Sequence, residues 1–178
     1  MASTRMRVDS EKSLVPSKTN LGEKSTPRVW ITTSMSRSTF RIVSGSSATG
    51  MKALHAVGSA EASVIFDRVT AIADRDASYH NDEVVYVSVG DGTTSEGEFW
   101  ESVNAACVRH LPVLFLIEDN GYAISVPVEF QTPGGDVSRL LRSFPGLHVD
   151  SVDGTDFMAS HKAMQDAVAY VRARDADP

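Results

Sequence analysis

Apolar residues along this chain recur in two rhythms, and the rhythms divide it into elements. VVYVSV (84–89) and LPVLFLI (111–117) are short, nearly continuous apolar runs. Such runs, rich in β-branched side chains, predict strands buried on both faces of a sheet. Between them, TTSEGEFWESVNAACVRH brings Phe99, Val103, Ala106 and Cys107 round at helical spacing. Met51 to Phe66 is also helical in period, with Ala53, Ala56, Gly58, Ala60 and Ala62. That many small side chains predict close packing against another backbone. HVDSV (148–152) reads as a third strand. Thr155 to Ala173 reads as an amphipathic helix with Phe157, Met158, Ala163, Met164, Val168 and Val171 inward. Asp74 to Asp82 is a polar connection, EDNGY (118–122) a turn, and 134–143 a loop leading into a short helix.

Strands alternating with helices predict an α/β fold, a parallel sheet with flanking helices. Order is expected to begin near Arg41, where IVSGSSATG reads as a short strand and a small-residue loop. Residues 42–178 then form the domain. Residues 1–41 hold fourteen Ser/Thr and no sustained apolar period. They read as an irregular or foreign leader, disordered, with a transit peptide as the other reading; Asp9, Glu11 and Glu23 interrupt that pattern. The last residues, Asp-Ala-Asp-Pro, follow a helix, where a doubly wound sheet would continue. A truncated chain is expected, against the alternative of a complete three-stranded domain.

Charge is unevenly spread. The formal total is −6, but residues 1–41 carry eight Lys/Arg against three Asp/Glu, leaving −11 on the remainder. An acidic domain repels nucleic acid, so any phosphate must be held locally, by backbone amides or a bridging cation. No run approaches the ~20 apolar residues of a membrane span. The single cysteine, Cys107, excludes an internal disulfide and reads as core.

The candidate chemistry sits where the first core strand ends, at Gly90-Asp91-Gly92. Ligands of open α/β sheets bind beyond the carboxyl ends of strands. The third glycine of a dinucleotide fingerprint and the Gly-Lys-Ser/Thr of a P-loop are both missing. What remains is a carboxylate between two glycines, a hard oxygen ligand suited to Mg²⁺ and phosphate. One strand–helix–strand unit of ~30 residues returns to the same sheet edge. Asn120 lies 29 residues on, just past the second strand. Its oxygen would meet that of Asp91, and a carbonyl near Tyr122 could complete the set. Each residue also has an ordinary use, Asp91 as a helix cap and Asn120 in a turn. Glu96 and Glu98 read as first-turn acids that favour the helix dipole. Glu101 reads as surface and Asn104 as packed. The five histidines show no ligand spacing.

GDGTTSEGEFWESVNAACVRHLPVLFLIEDNGYAIS (90–125) resembles the thiamine-diphosphate motif, GDG followed about thirty residues later by a paired asparagine. More closely, the chain resembles the alpha subunit of the decarboxylating component of 2-oxo acid dehydrogenase complexes, of branched-chain or pyruvate type. The residues that carry the likeness are EG at 96–97, LPV at 111–113, NGYAIS at 120–125, VDGTDF at 152–157 and SSATGMKALHAVGSAEA at 46–62. The resemblance implies a thiamine-diphosphate-binding fold. It implies Mg²⁺ held by Asp91, Asn120 and the Tyr122 carbonyl, and a diphosphate near Gly90, Gly92 and Thr93 or Thr94. Ser47 and Thr49 would flank the aminopyrimidine, and Ile124 would approach the cofactor. It implies a beta subunit or fused beta half that brings the activating glutamate, a lipoyl-bearing acyltransferase and a 2-oxo acid substrate. No catalytic residue is then expected within this chain, and the isolated chain would be inactive. The compartment would be the bacterial cytoplasm, or the mitochondrial matrix in a eukaryote. Two departures stand out. Asp119 replaces the first of the paired asparagines. Met51 and Lys52 stand where some relatives bind a monovalent cation through a Thr-Gln pair, so the Lys52 ammonium would take that ion's place. A non-catalytic fragment that keeps only the fold, and a transketolase-like enzyme, are the alternative readings.

Overall fold

The computed structural model describes residues 2–6, 48–69 and 82–173. Its elements are β1 (Ala2–Met6), α1 (Met51–Arg68), β2 (Val85–Gly90), α2 (Gly97–Arg109), β3 (Val113–Glu118), the two-residue strands β4 (Tyr122–Ala123) and β5 (Val126–Pro127), α3 (Val137–Leu141), β6 (Leu147–Ser151) and α4 (Phe157–Arg172). Four strands form a parallel sheet in the order β2-β3-β1-β6, and β4 and β5 pair as a separate antiparallel hairpin. The parallel α/β architecture is the one the sequence predicts. Among the described residues no helix is long and apolar enough to cross a membrane.

Side-chain parity explains the layers. Val85, Val87 and Val89 of β2 lie in register with Val113, Phe115 and Ile117 of β3. Successive strand residues point to opposite faces, so these six share one face. They meet Ala53, Ala56 and Ala60 of α1 and Phe99, Val103, Ala106 and Cys107 of α2 in one buried cluster. Phe99 sits at its centre, edge-on to Phe115 and to Trp100. Leu114 has the opposite parity and is also fully buried. It lies on the face that α4 covers with Ala163, Ala167 and Val171.

Local chemistry ends the elements. His110 takes a left-handed conformation, φ 52°, at the end of α2. Its N–H and that of Leu111 return to the carbonyls of Cys107 and Ala106, closing the last turn. Asp156 caps α4 by accepting the Ala159 N–H at 3.0 Å, and Asp136 caps α3 by accepting that of Arg139 at 3.1 Å. The VDGTDF run is therefore a capping segment here: Asp153 also accepts the Thr155 N–H at 2.8 Å.

Several expectations need correction. Phe157 and Met158 are 53% and 70% exposed, because they form the first turn of α4 beyond the sheet edge; Phe157 stacks on His161 instead. Asn104 is exposed rather than packed, being on the opposite side of α2 from Ala106 and Cys107. In α1 the three alanines are buried, but Gly58 and Ala62 face outward. Residues 2–6 form a strand between β3 and β6, inside the segment expected to lack regular structure. The expected strand at IVSGS, the start of order near Arg41 and most of the 74–82 connection lie outside the described residues.

Candidate cofactor site

The GDG segment does not open α2 directly. Residues Asp91–Ser95 form a 3₁₀ turn, Glu96 is extended, and α2 starts at Gly97. The turn is held from within, since the Thr94 hydroxyl donates to the Asp91 carbonyl at 2.7 Å. Asp91, Thr93 and Thr94 are all buried.

Above this turn lies the segment that follows β3. Asp119 accepts the N–H of Gly121 at 3.0 Å, and Asn120 accepts that of Tyr122 at 2.9 Å. Two overlapping side-chain turns thus reverse the chain, with Gly121 at φ +78°. The reversal lowers the β4–β5 hairpin onto the 3₁₀ turn. The approach is so close that a Cβ added to Gly92 would lie 2.4 Å from the Ala123 Cβ. Gly92 is glycine because of that contact. At Gly90 an added Cβ would meet nothing within 4 Å, so open space stands beside the strand end.

Asp91 joins the two segments. It is 2% exposed, and its Oδ2 is buried without a hydrogen-bond partner. Burial raises its pKa above the usual carboxylate value, and the backbone N–H groups of Asp91, Gly92 and Asn120 pull part of the rise back. The Asn120 backbone N–H thus reaches the carboxylate of the residue 29 positions earlier. The Asn120 oxygen has one lone pair in its turn and one to spare. Tyr122 pairs with Pro127, which has no N–H, so the Tyr122 carbonyl receives no ladder bond from that partner.

A buried, unpaired carboxylate oxygen, with an amide oxygen and a carbonyl on the segment whose Asn120 backbone N–H reaches that carboxylate, offers hard oxygen donors of the kind Mg²⁺ takes together with phosphate oxygens. The donors fit the group. Among the described residues no three His, Cys, Asp or Glu side chains converge to hold a metal on their own.

The other expected residues divide. Thr49, Gly90 and Thr93 line one cleft of about 390 Å³, with Lys52, Ser88 and Glu118. Ser47 lies outside the described residues. The Ile124 side chain is fully exposed, on a backbone at φ 57°. For a β-branched residue that conformation is a strained outlier, of the kind that clusters at binding sites. Glu96, Glu98 and Glu101 are exposed, and Cys107 is buried in the core, where burial raises its thiol pKa.

Sequence reasoning missed three contributors. Ser88 donates its hydroxyl to Glu118, pinning that carboxylate across the ends of β2 and β3. Each is the polar residue that interrupts or ends an apolar strand, a signal that was present. Gln131 donates to the Val126 carbonyl at 2.7 Å and would be 3.5 Å from a Cβ at Gly92. Nothing in its local sequence marks it.

Known proteins share these segments. A family model described as Dehydrogenase E1 component matches residues 20–177, starting inside the stretch expected to be a leader. The 3-methyl-2-oxobutanoate dehydrogenase subunit alpha of Mycobacterium tuberculosis is 35% identical over 128 residues, 71% of this chain and 30% of that protein. The 2-oxoisovalerate dehydrogenase subunit alpha of Bacillus subtilis is 34% identical over 127 residues, 71% of this chain and 34% of that protein. The pyruvate dehydrogenase E1 component subunit alpha of Mycoplasma genitalium is 38% identical over 89 residues, 50% of this chain and 25% of that protein. The chain spans about a third or less of these relatives.

Proposed function

The chain belongs to the dehydrogenase E1 component family, and from that premise we propose that it forms the Mg²⁺ and diphosphate half of a thiamine-diphosphate site in a 2-oxo acid dehydrogenase. The observation that carries the reading is Asp91 Oδ2, buried and unpaired where the Asn120 amide meets the same carboxylate. Asp91, the Asn120 side-chain oxygen and the Tyr122 carbonyl would hold Mg²⁺. Gly90, Gly92 and Thr93 would lie along the diphosphate. Thr94 would act through the turn it braces rather than by contact. Thr49 and Ser47 would flank the pyrimidine. Ile124 would turn its exposed side chain onto the cofactor, burying apolar surface.

Thiamine diphosphate, when bound, supplies the carbanion-stabilising chemistry by which a 2-oxo acid loses CO₂. This chain's residues bind and orient. The acyl group would pass to a lipoyl-bearing acyltransferase, and the ring-activating carboxylate would come from a beta subunit or beta half. Support for a partner comes from α1. Met51, Leu54 and Ile65 are exposed along it, with Val69 just past its end, and Gly58 has nothing within 4 Å of an added Cβ. An apolar helix face of this kind is suited to a subunit interface. The names of the two longer-matching relatives favour a branched-chain 2-oxo acid as substrate.

Calorimetric titration of the chain, alone and assembled with its beta partner, with Mg²⁺ and thiamine diphosphate tests the reading. Binding that needs Mg²⁺ and disappears in Asp91→Ala is the expected result. Binding indifferent to Asp91, or none at all in the assembled protein, would leave the fragment reading in its place.

A further inference from the structure

The cleft beside Asp91 contains one cation and one acid. Of the described side chains that line it, only Lys52 is basic and only Glu118 is acidic. Glu118 is fixed: it lies in register with Gly90, and the Ser88 hydroxyl donates to its Oε1. The root of Lys52 is fixed too. It stands in the first turn of α1, two residues after Gly50, where an added Cβ would be 3.1 Å from the Glu98 Cβ. The start of α1 is therefore held against the start of α2. The Lys52 side chain is exposed, and among the described residues no ion pair joins it to Glu118.

A diphosphate seated along Gly90–Thr93 would share this cleft with the Glu118 carboxylate. Like charges in a partly desolvated cleft repel strongly, and the surrounding chain carries a net −11 that adds to the repulsion. An ammonium on a flexible stem can reach between the two anions.

We propose that Lys52 is a positioning residue for phosphate: its ammonium lies between the Glu118 carboxylate and the terminal phosphate of the cofactor and offsets the acid's charge. The proposal rests on the reading that this turn holds a diphosphate. It assigns Lys52 and Glu118 a linked role, so the test is their coupling.

Isothermal calorimetry on the whole chain, with Mg²⁺ plus inorganic pyrophosphate and with Mg²⁺ plus thiamine diphosphate, provides it. Lys52→Gln should weaken both ligands about tenfold, while Lys52→Arg stays within about threefold of wild type. Glu118→Gln in the Lys52→Gln background should recover most of the loss, since the repelling charge is gone. The ligand-free melting temperature of Lys52→Gln should match wild type, because the side chain is exposed and unpaired. Wild-type affinity in Lys52→Gln, or a loss that Glu118→Gln does not relieve, overturns the proposal. If Asp91→Asn abolishes binding and Lys52→Gln does not, the cofactor site stands and only this inference falls. If wild type and Asp91→Asn alike bind neither ligand, the site reading fails and takes this inference with it.

Discussion

Replacing Asp91 by Asn should stabilise the ligand-free protein at neutral pH while removing its response to Mg²⁺ and thiamine diphosphate. Asp91 is 2% exposed, one carboxylate oxygen is unpaired, and burial raises its pKa. The fold therefore favours the protonated carboxyl over the ionised one. The stability this group contributes is present below the unfolded value and is lost as pH rises through the higher folded value. At pH 7 the ionised group is a liability in the free protein. An unsatisfied buried acceptor costs about 1–3 kcal/mol, more when charged. Asparagine keeps one oxygen for the amides of Gly92 and Asn120 and removes the charge, but its NH₂ is still short of an acceptor. A net gain of about 1 kcal/mol follows, which in a domain of this size is roughly 2–4 °C in Tm. Ligand at a hundred times its Kd stabilises wild type by about 2.7 kcal/mol, roughly 5–11 °C on the same scale. Differential scanning calorimetry at pH 7, with and without ligands, reads both effects. The ligand-free difference between variant and wild type should also shrink as pH falls through the Asp91 titration. A ligand-free variant that melts several degrees below wild type refutes the cost assigned to the buried charge. Equal ligand shifts in both proteins refute Asp91 as a metal ligand.

Three further substitutions test the local geometry. Gly92→Ala drives a methyl into Ala123; it should cost about 1–3 kcal/mol in urea unfolding and displace the hairpin enough to weaken Mg²⁺-dependent cofactor binding. Ile124→Gly relieves a left-handed backbone at an exposed position. It should raise the ligand-free melting point, by up to about 1 kcal/mol of stability, yet lower cofactor affinity; unchanged affinity would remove Ile124 from the site. Asp156→Ala deletes the α4 cap and should cost about 1 kcal/mol, leaving cofactor affinity unchanged if VDGTDF serves the fold alone.

Legibility followed how strongly each feature is written in local pattern. β3 was plain because almost every residue in it is buried, and the face of α2 was plain because Phe99, Val103, Ala106 and Cys107 all face one cluster. The meeting of Asp91 and Asn120 was legible for a different reason: a strand–helix–strand unit returns the chain to a neighbouring position whatever its loops do. The first turn of α4 was misread because helical period says nothing about where the covering sheet stops. Residues 2–6 carry no apolar alternation, so their place between β3 and β6 is decided by pairing with a strand on either side rather than by propensity. The β4–β5 hairpin is only two residues per strand, too short for any periodicity. The positive φ of Ile124 runs against the preference of its side-chain type.

Those two illegible features, the hairpin and the Ile124 backbone, shape the candidate site. Spacing alone brings Asp91 and Asn120 to the same sheet edge, but either could still have served as an ordinary cap or turn residue. Under the function proposed above, the hairpin would turn their proximity into a donor set. Asn120 spends one lone pair on the Tyr122 amide, Pro127 offers the Tyr122 carbonyl no N–H, and Ala123 presses on Gly92 hard enough to exclude any side chain there. The same descent puts Ile124 at the hairpin tip, exposed and strained. In physical terms the strand ends bring Asp91 and Asn120 together, and the hairpin sets the backbone that surrounds them.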